Sequence, residues 1–135
     1  MTPDPRTVHV RRGEIESSES WVYAWVEPSS RLVLYVGSTG LNPELRSWLH
    51  LHDGDPSIGR IFARRPSAKE EDFDVLAFPV PQNISRAFVK DLLIQRLSES
   101  AQLSADYVGD SPQVNEFDPE ISDLVEAMLE FIMHR

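Results

Sequence analysis

The chain has 135 residues, no cysteine and 41% hydrophobic residues, a length suited to one domain with one modest core. The missing cysteines exclude disulfides, thiolate metal sites and thiol nucleophiles, and no run of about 18 apolar residues is present to span a membrane. The net charge of −9 argues at first against a polyanionic partner, but residues 99–135 carry −8 of it and residues 1–98 only −1.

Residues 1–19 are rich in Pro, Ser and charge, and only Val8 and Val10 alternate as a strand does. They read as an arm, either partly disordered or an edge strand. They contain no apolar signal-peptide core, so a cytoplasmic protein is the expectation. Trp21 to Val26 (WVYAWV) is aromatic and β-branched, as a strand is. Turn residues follow at 27–31, and Leu32 to Val36 (LVLYV) predicts a second strand. The short polar connection makes an antiparallel hairpin the simplest pairing. Gly37 is expected to end this strand, with Ser38 to Asn42 as a loop.

Asn42 and Pro43 supply a cap and a first-turn proline for a helix reading PELRSWLHL. Leu45, Trp48 and Leu49 share one stripe, predicted to face the core. Arg46 and His50, four apart, share another. Asp53 to Pro56 breaks this helix, 57–65 predicts a second short one, and 66–71 a charged loop. Arg60, Arg64, Arg65 and Lys69 form a candidate basic patch, for which a solvated surface is the plainer reading. His50 and His52 are two apart and point away from each other on a helix, which disfavours a shared metal.

Phe73 to Val80 predicts a third strand, with Pro79 at an edge or bulge. Asn83 or Ser85 caps a helix whose apolar face is Ile84, Phe88, Val89, Leu92, Leu93, Ile94 and Leu97. Residues 98–117 are polar and loop-like. Asp118 and Pro119 start a last helix with an apolar stripe from Ile121 to Ile132 and an acidic opposite side. The expected fold is α+β: a small three-stranded, mainly antiparallel sheet flanked by helices, with an extra C-terminal helix. The expected divisions are an arm at 1–19, a domain at 20–117 and an appended acidic amphipathic helix at 118–135.

Cleaving a phosphodiester requires a base, a cation on the phosphoryl oxygens, an acid and usually a metal. Tyr23 and Tyr35 lie one on each hairpin strand, Arg46 and His50 on the next helix, and Gly37 admits close backbone approach. Trp21-Val22-Tyr23, an eleven-residue gap, and Tyr35-Val36-Gly37 resemble the paired motifs of the GIY-YIG nuclease superfamily. Ser38-Thr39 with Arg46 and His50, then Leu93-Ile94, then Pro112 and Asn115, resemble its later elements. The resemblance runs from Trp21 to Asn115.

It implies a nuclease fold in which Tyr23 or Tyr35 acts as general base, Arg46 neutralises the phosphate and His50 places or protonates reacting groups. It also implies one divalent cation such as Mg2+, held by a glutamate. At that glutamate's position stands Lys90, which repels a metal and attracts a phosphate. Asp91 and Glu99 are weak substitute ligands. The expectation is a domain that binds DNA or another nucleic acid, with Arg46, Gly37 and Lys90 at the phosphate, and is catalytically degenerate. An active Mg2+-dependent nuclease using another carboxylate, and a protein-interaction module, remain as alternatives. Residues 118–135 are the candidate surface for a protein partner or self-association.

Overall fold

A computed structural model describes residues 9–16, 19–111 and 119–134. Residues 1–8 with Val8, the Pro112 to Asn115 motif and the Asp118 cap lie outside the described residues.

Within the predicted arm, β1 (His9–Arg11) and β2 (Glu14–Glu16) form an antiparallel hairpin. Its turn uses Arg12 and Gly13, both at positive φ, as a tight two-residue hairpin turn requires. The main sheet comprises β3 (Trp21–Val26), β4 (Val33–Thr39) and β5 (Asp74–Pro79), in the order β4-β3-β5 and antiparallel throughout. Pro79 closes an edge strand, where its missing N–H does least harm. Gly37 does not end β4, which continues through Ser38 and Thr39, paired with Val22 and Trp21.

Both faces of β3 are covered, which explains its nearly unbroken apolar sequence. Val22, Ala24 and Val26 face α3 (Arg86–Glu99) and α4 (Pro119–Met133), joining Val89, Leu93, Val125 and Met128 in one core. Tyr23, Trp25 and Tyr35 form a second cluster with Ile61 and Ala68. That side is covered by α1 (Pro43–His52), α2 (Arg60–Arg64) and a short 3-10 helix, Pro66–Glu70. The last segment was expected to be loop. The C-terminal helix is therefore part of the main core. Its Ile121, Val125, Met128, Leu129 and Ile132 are buried, each side chain worth roughly 1.5–3 kcal/mol of burial. Phe131 and Met133 remain exposed.

The Asn42 side chain accepts from Glu44 N at 2.9 Å and Leu45 N at 3.2 Å, capping α1 as expected. Of the two candidate caps for α3, Ser85 is used, accepting from Phe88 N at 3.4 Å. The predicted inward stripe of α1 is corrected: Leu45 and Trp48 are exposed, and the fully buried residue is His50. The sheet presents phenol oxygens to this helix, so its inward side is polar. Phe88 on α3 is likewise exposed.

Candidate functional site

Cross-strand register builds the site. Tyr23 is paired directly with Gly37, and Trp25 with Tyr35. Paired residues point to the same face of a sheet, so Tyr23 and Tyr35 become diagonal neighbours, with ring centroids 6.2 Å apart. Gly37 lies on that face too. A Cβ there would sit 2.5 Å from the Tyr23 hydroxyl oxygen and 2.8 Å from Tyr35 Cε1. The glycine thus leaves room for both rings and opens a hole at the end of the sheet.

That hole is a cleft of about 180 Å³, lined by Tyr23, Tyr35, Gly37, Ser38, Arg46, Arg60 and Lys90. Arg46 comes from α1, where its Nη1 also donates to Ile58 O at 2.8 Å. Arg60 begins α2. Gly59, just before it, allows the start of α2 to press against the end of α1, since a Cβ there would collide with Asp53 O. Lys90 arrives from α3, in the other helical layer.

His50 lies behind the cleft, fully buried. Its Nε2 is 2.5 Å from the Tyr23 hydroxyl oxygen, and its ring meets Tyr35 edge-on at 4.8 Å. Burial, followed by the nearby charges of Arg46, Arg60 and Arg64, pushes its pKa down to about 3, so it is neutral at physiological pH. Among the described residues its Nδ1 is buried without a partner. A buried N–H without an acceptor is rarer than an unpaired acceptor, which assigns the proton to Nε2. His50 then donates to the Tyr23 oxygen, leaving the Tyr23 O–H free to serve the cleft. Burial, and then the neighbouring Tyr35, push the Tyr23 phenol well above its usual pKa, with Arg46 and Arg60 opposing. Tyr35 in turn is the main influence on Arg60, raising the guanidinium pKa. At neutral pH the Tyr23 phenol and the Arg60 guanidinium keep their protons.

The Lys90 ammonium is 3.0 Å from the Asp110 carboxylate and 3.9 Å from that of Asp91. Hydrogen bonding to Lys90 is the main cause holding the Asp110 carboxyl below its ordinary pKa. Asp110 is fixed by the turns and hydrogen bonds of its own segment. Val108 N donates to Leu34 O at 2.9 Å, the Arg64 guanidinium to Val108 O at 2.5 Å, and the Tyr107 hydroxyl to Asp110 O at 2.8 Å. Glu99 is remote, at the far end of α3, where it pairs with Arg96 at 3.3 Å. Among the described residues, no group of three or more His, Asp or Glu comes together to hold a metal.

The structure thus brings together Tyr23, Tyr35, Gly37, Arg46 and Lys90, and places His50 one layer deeper. Asp91 and Glu99 do not line the cleft. Two functional groups were missed as site residues. Arg60 was visible only as one of four cations; Arg64 donates to Val108 O, Arg65 is tied to Glu71 at 2.6 Å and Lys69 lies over Phe62, which leaves Arg60 for the site. Asp110 had no sequence signal. A larger cleft of about 580 Å³ beside Trp21 has Glu19 and Glu44 in its lining and, among the described residues, no cation. Comparison with protein-family models, curated proteins and solved structures finds no match for this chain.

Proposed function

We propose that this chain is a GIY-YIG-like domain that binds nucleic-acid phosphates and has lost Mg2+-dependent cleavage. The observation that carries the reading is the convergence of Arg46, Arg60 and Lys90 with the Tyr23 and Tyr35 phenols on one cleft floored by Gly37. Arginine forks and a lysine point charge are suited to phosphoryl oxygens. The phenol and hydroxyl donors complete such an anion receptor.

Two features argue against cleavage. A general base works best with a pKa near the operating pH, and burial moves Tyr23 away from that range while His50 moves the other way. A hard divalent cation also wants carboxylate oxygens. The residue facing the cleft is Lys90, and the carboxylate beside it, Asp110, already neutralises that ammonium. These residues do not fit the metal that the family resemblance implies.

The test is a salt titration of DNA and RNA binding alongside a cleavage assay with Mg2+ and Mn2+ on plasmid and branched DNA. The reading expects binding that weakens with salt and no metal-dependent cleavage. Robust cleavage that disappears in Tyr35→Phe or Arg46→Ala would overturn it in favour of an active nuclease.

A further inference from the structure

We infer that the cleft is built for a phosphomonoester dianion, the terminal phosphate of a nucleic-acid strand, rather than for an internal phosphodiester. This rests on the nucleic-acid reading above and narrows it to a substrate class.

Charge is the first argument. Arg46, Arg60 and Lys90 bring three positive charges to the cleft lining, which holds no carboxylate among the described residues, while Asp110 at 3.0 Å and Asp91 at 3.9 Å lie behind Lys90. An internal phosphodiester carries one negative charge. A phosphomonoester carries about −1.5 to −2 near neutral pH and has three strong acceptor oxygens. A lining of three cations with no carboxylate among them favours the more highly charged monoester.

Shape is the second. The cleft of about 180 Å³ is more enclosed than those beside Trp21 and Phe73. Small-molecule sites usually begin at roughly 300 Å³, so a nucleoside does not fit inside, whereas a phosphoryl group does. A diester must leave its phosphate in two directions and needs an open groove. A strand end leaves in one.

The rest of the surface also bears on the ligand. Residues 1–98 sum to −1 and residues 99–135 to −8, so a long polyanion laid across the chain meets no net attraction outside the cleft. An end-on ligand confines the attraction to the cleft and keeps most of the strand away. Donor supply is also ample. The Tyr23 O–H, the Arg60 fork and the Lys90 ammonium can address three oxygens, and the bare backbone at Gly37 lets the phosphate approach closely.

The experiment is equilibrium binding of one short single strand in four forms: 5′-phosphorylated, 3′-phosphorylated, hydroxyl-ended and circularised. Inorganic phosphate is measured in parallel by calorimetry. A phosphorylated end should bind about tenfold tighter or more than the hydroxyl-ended and circular forms. The preference should shrink in Arg60→Gln and Lys90→Gln, both checked for an unchanged melting transition. Which end binds tighter identifies the end recognised. Equal affinity for all four strands, weakened by Arg46→Ala, would overturn the strand-end inference while leaving nucleic-acid binding standing. Phosphate binding without binding of any strand would support the dianion site and overturn the nucleic-acid reading. No binding of strand or phosphate would overturn both.

Discussion

Lowering the pH from 7.5 to 5.0 should destabilise this fold through His50. The side chain is fully buried against Tyr23 and has three arginines nearby. In the folded chain its pKa lies at about 3, against 6.5 for an unperturbed histidine. Above pH 6.5 both states hold a neutral ring and His50 contributes no pH dependence. Below 6.5 the unfolded state takes up a proton that the folded state refuses, so stability falls with falling pH until both are protonated near pH 3. The slope approaches one proton, about 1.4 kcal/mol per pH unit. The loss between pH 7.5 and 5.0 is therefore about 2 kcal/mol, a sizeable part of a small domain's roughly 5–15 kcal/mol. Carboxylates such as Asp110 and Glu71, whose pKa values are lowered by their partners, lose their stabilisation at lower pH, below the ordinary carboxylate range. The assay is urea unfolding followed by tryptophan fluorescence across pH 7.5 to 5.0, on the native chain and on His50→Gln. The glutamine cannot titrate, so its curve should start lower but run flatter by nearly one proton. Parallel pH profiles for the two proteins would refute the buried, neutral assignment of His50.

Further outcomes follow from the same geometry. Gly37→Ala should cost about 1–3 kcal/mol, as overpacking does, because its Cβ meets both tyrosine rings; denaturant midpoints and phosphate binding read the loss, and an unchanged protein would deny the tight Gly37 floor. Arg46→Ala should weaken nucleic-acid binding and reduce its salt slope by about one, measured by anisotropy at several salt concentrations; an unchanged slope would remove Arg46 from the phosphate site. Lys90→Glu should set a new carboxylate beside Asp110, creating calorimetrically detectable Mn2+ binding while abolishing phosphate binding. Met128→Ala should cost about 2–5 kcal/mol in thermal or urea unfolding without altering oligomeric state, because Met128 packs within its own core; loss of self-association instead would show that the stripe serves a partner.

The hairpin, the third strand and the helices could be read from the sequence because each carries a strong local signal. WVYAWV and LVLYV have strand composition, Asn42-Pro43 opens a helix, and the stripe from Ile121 to Ile132 has one period. The orientation of α1 could not. Its apolar residues Leu45 and Trp48 point outward and His50 points in, because the neighbouring surface is a pair of phenols rather than an apolar face. Periodicity reports where the apolar residues lie, not which side the tertiary structure will use. Tyr23, Tyr35, Gly37 and Arg46 were legible as candidates since their spacing follows from strand alternation and helix capping. Asp110 was not, because it is placed by backbone hydrogen bonds from Ser104 and Val108 to β4, and such bonds leave no side-chain pattern.

The fate of Gly37 and Lys90 ties these features to one economy of charge and space. A glycine in mid-strand weakens a sheet by entropy and lost packing, and a lysine within an apolar helix needs a partner. Both costs fall at the cleft. Gly37 gives up a side chain where two phenols need room, and Lys90 brings a cation where Asp110 can balance it. The hydrophobic cores on either side are otherwise complete without them. Gly37 is required by the two rings packed over it, and Lys90, among the described residues, by no contact other than its carboxylate partners. What they have in common is the cleft, and the chemistry that rewards a donor-rich, cationic, enclosed hole is the binding of an anion with several oxygens. On the proposed function the two phenols and three cations form one receptor, and His50 is the buried support that leaves the Tyr23 proton facing outward.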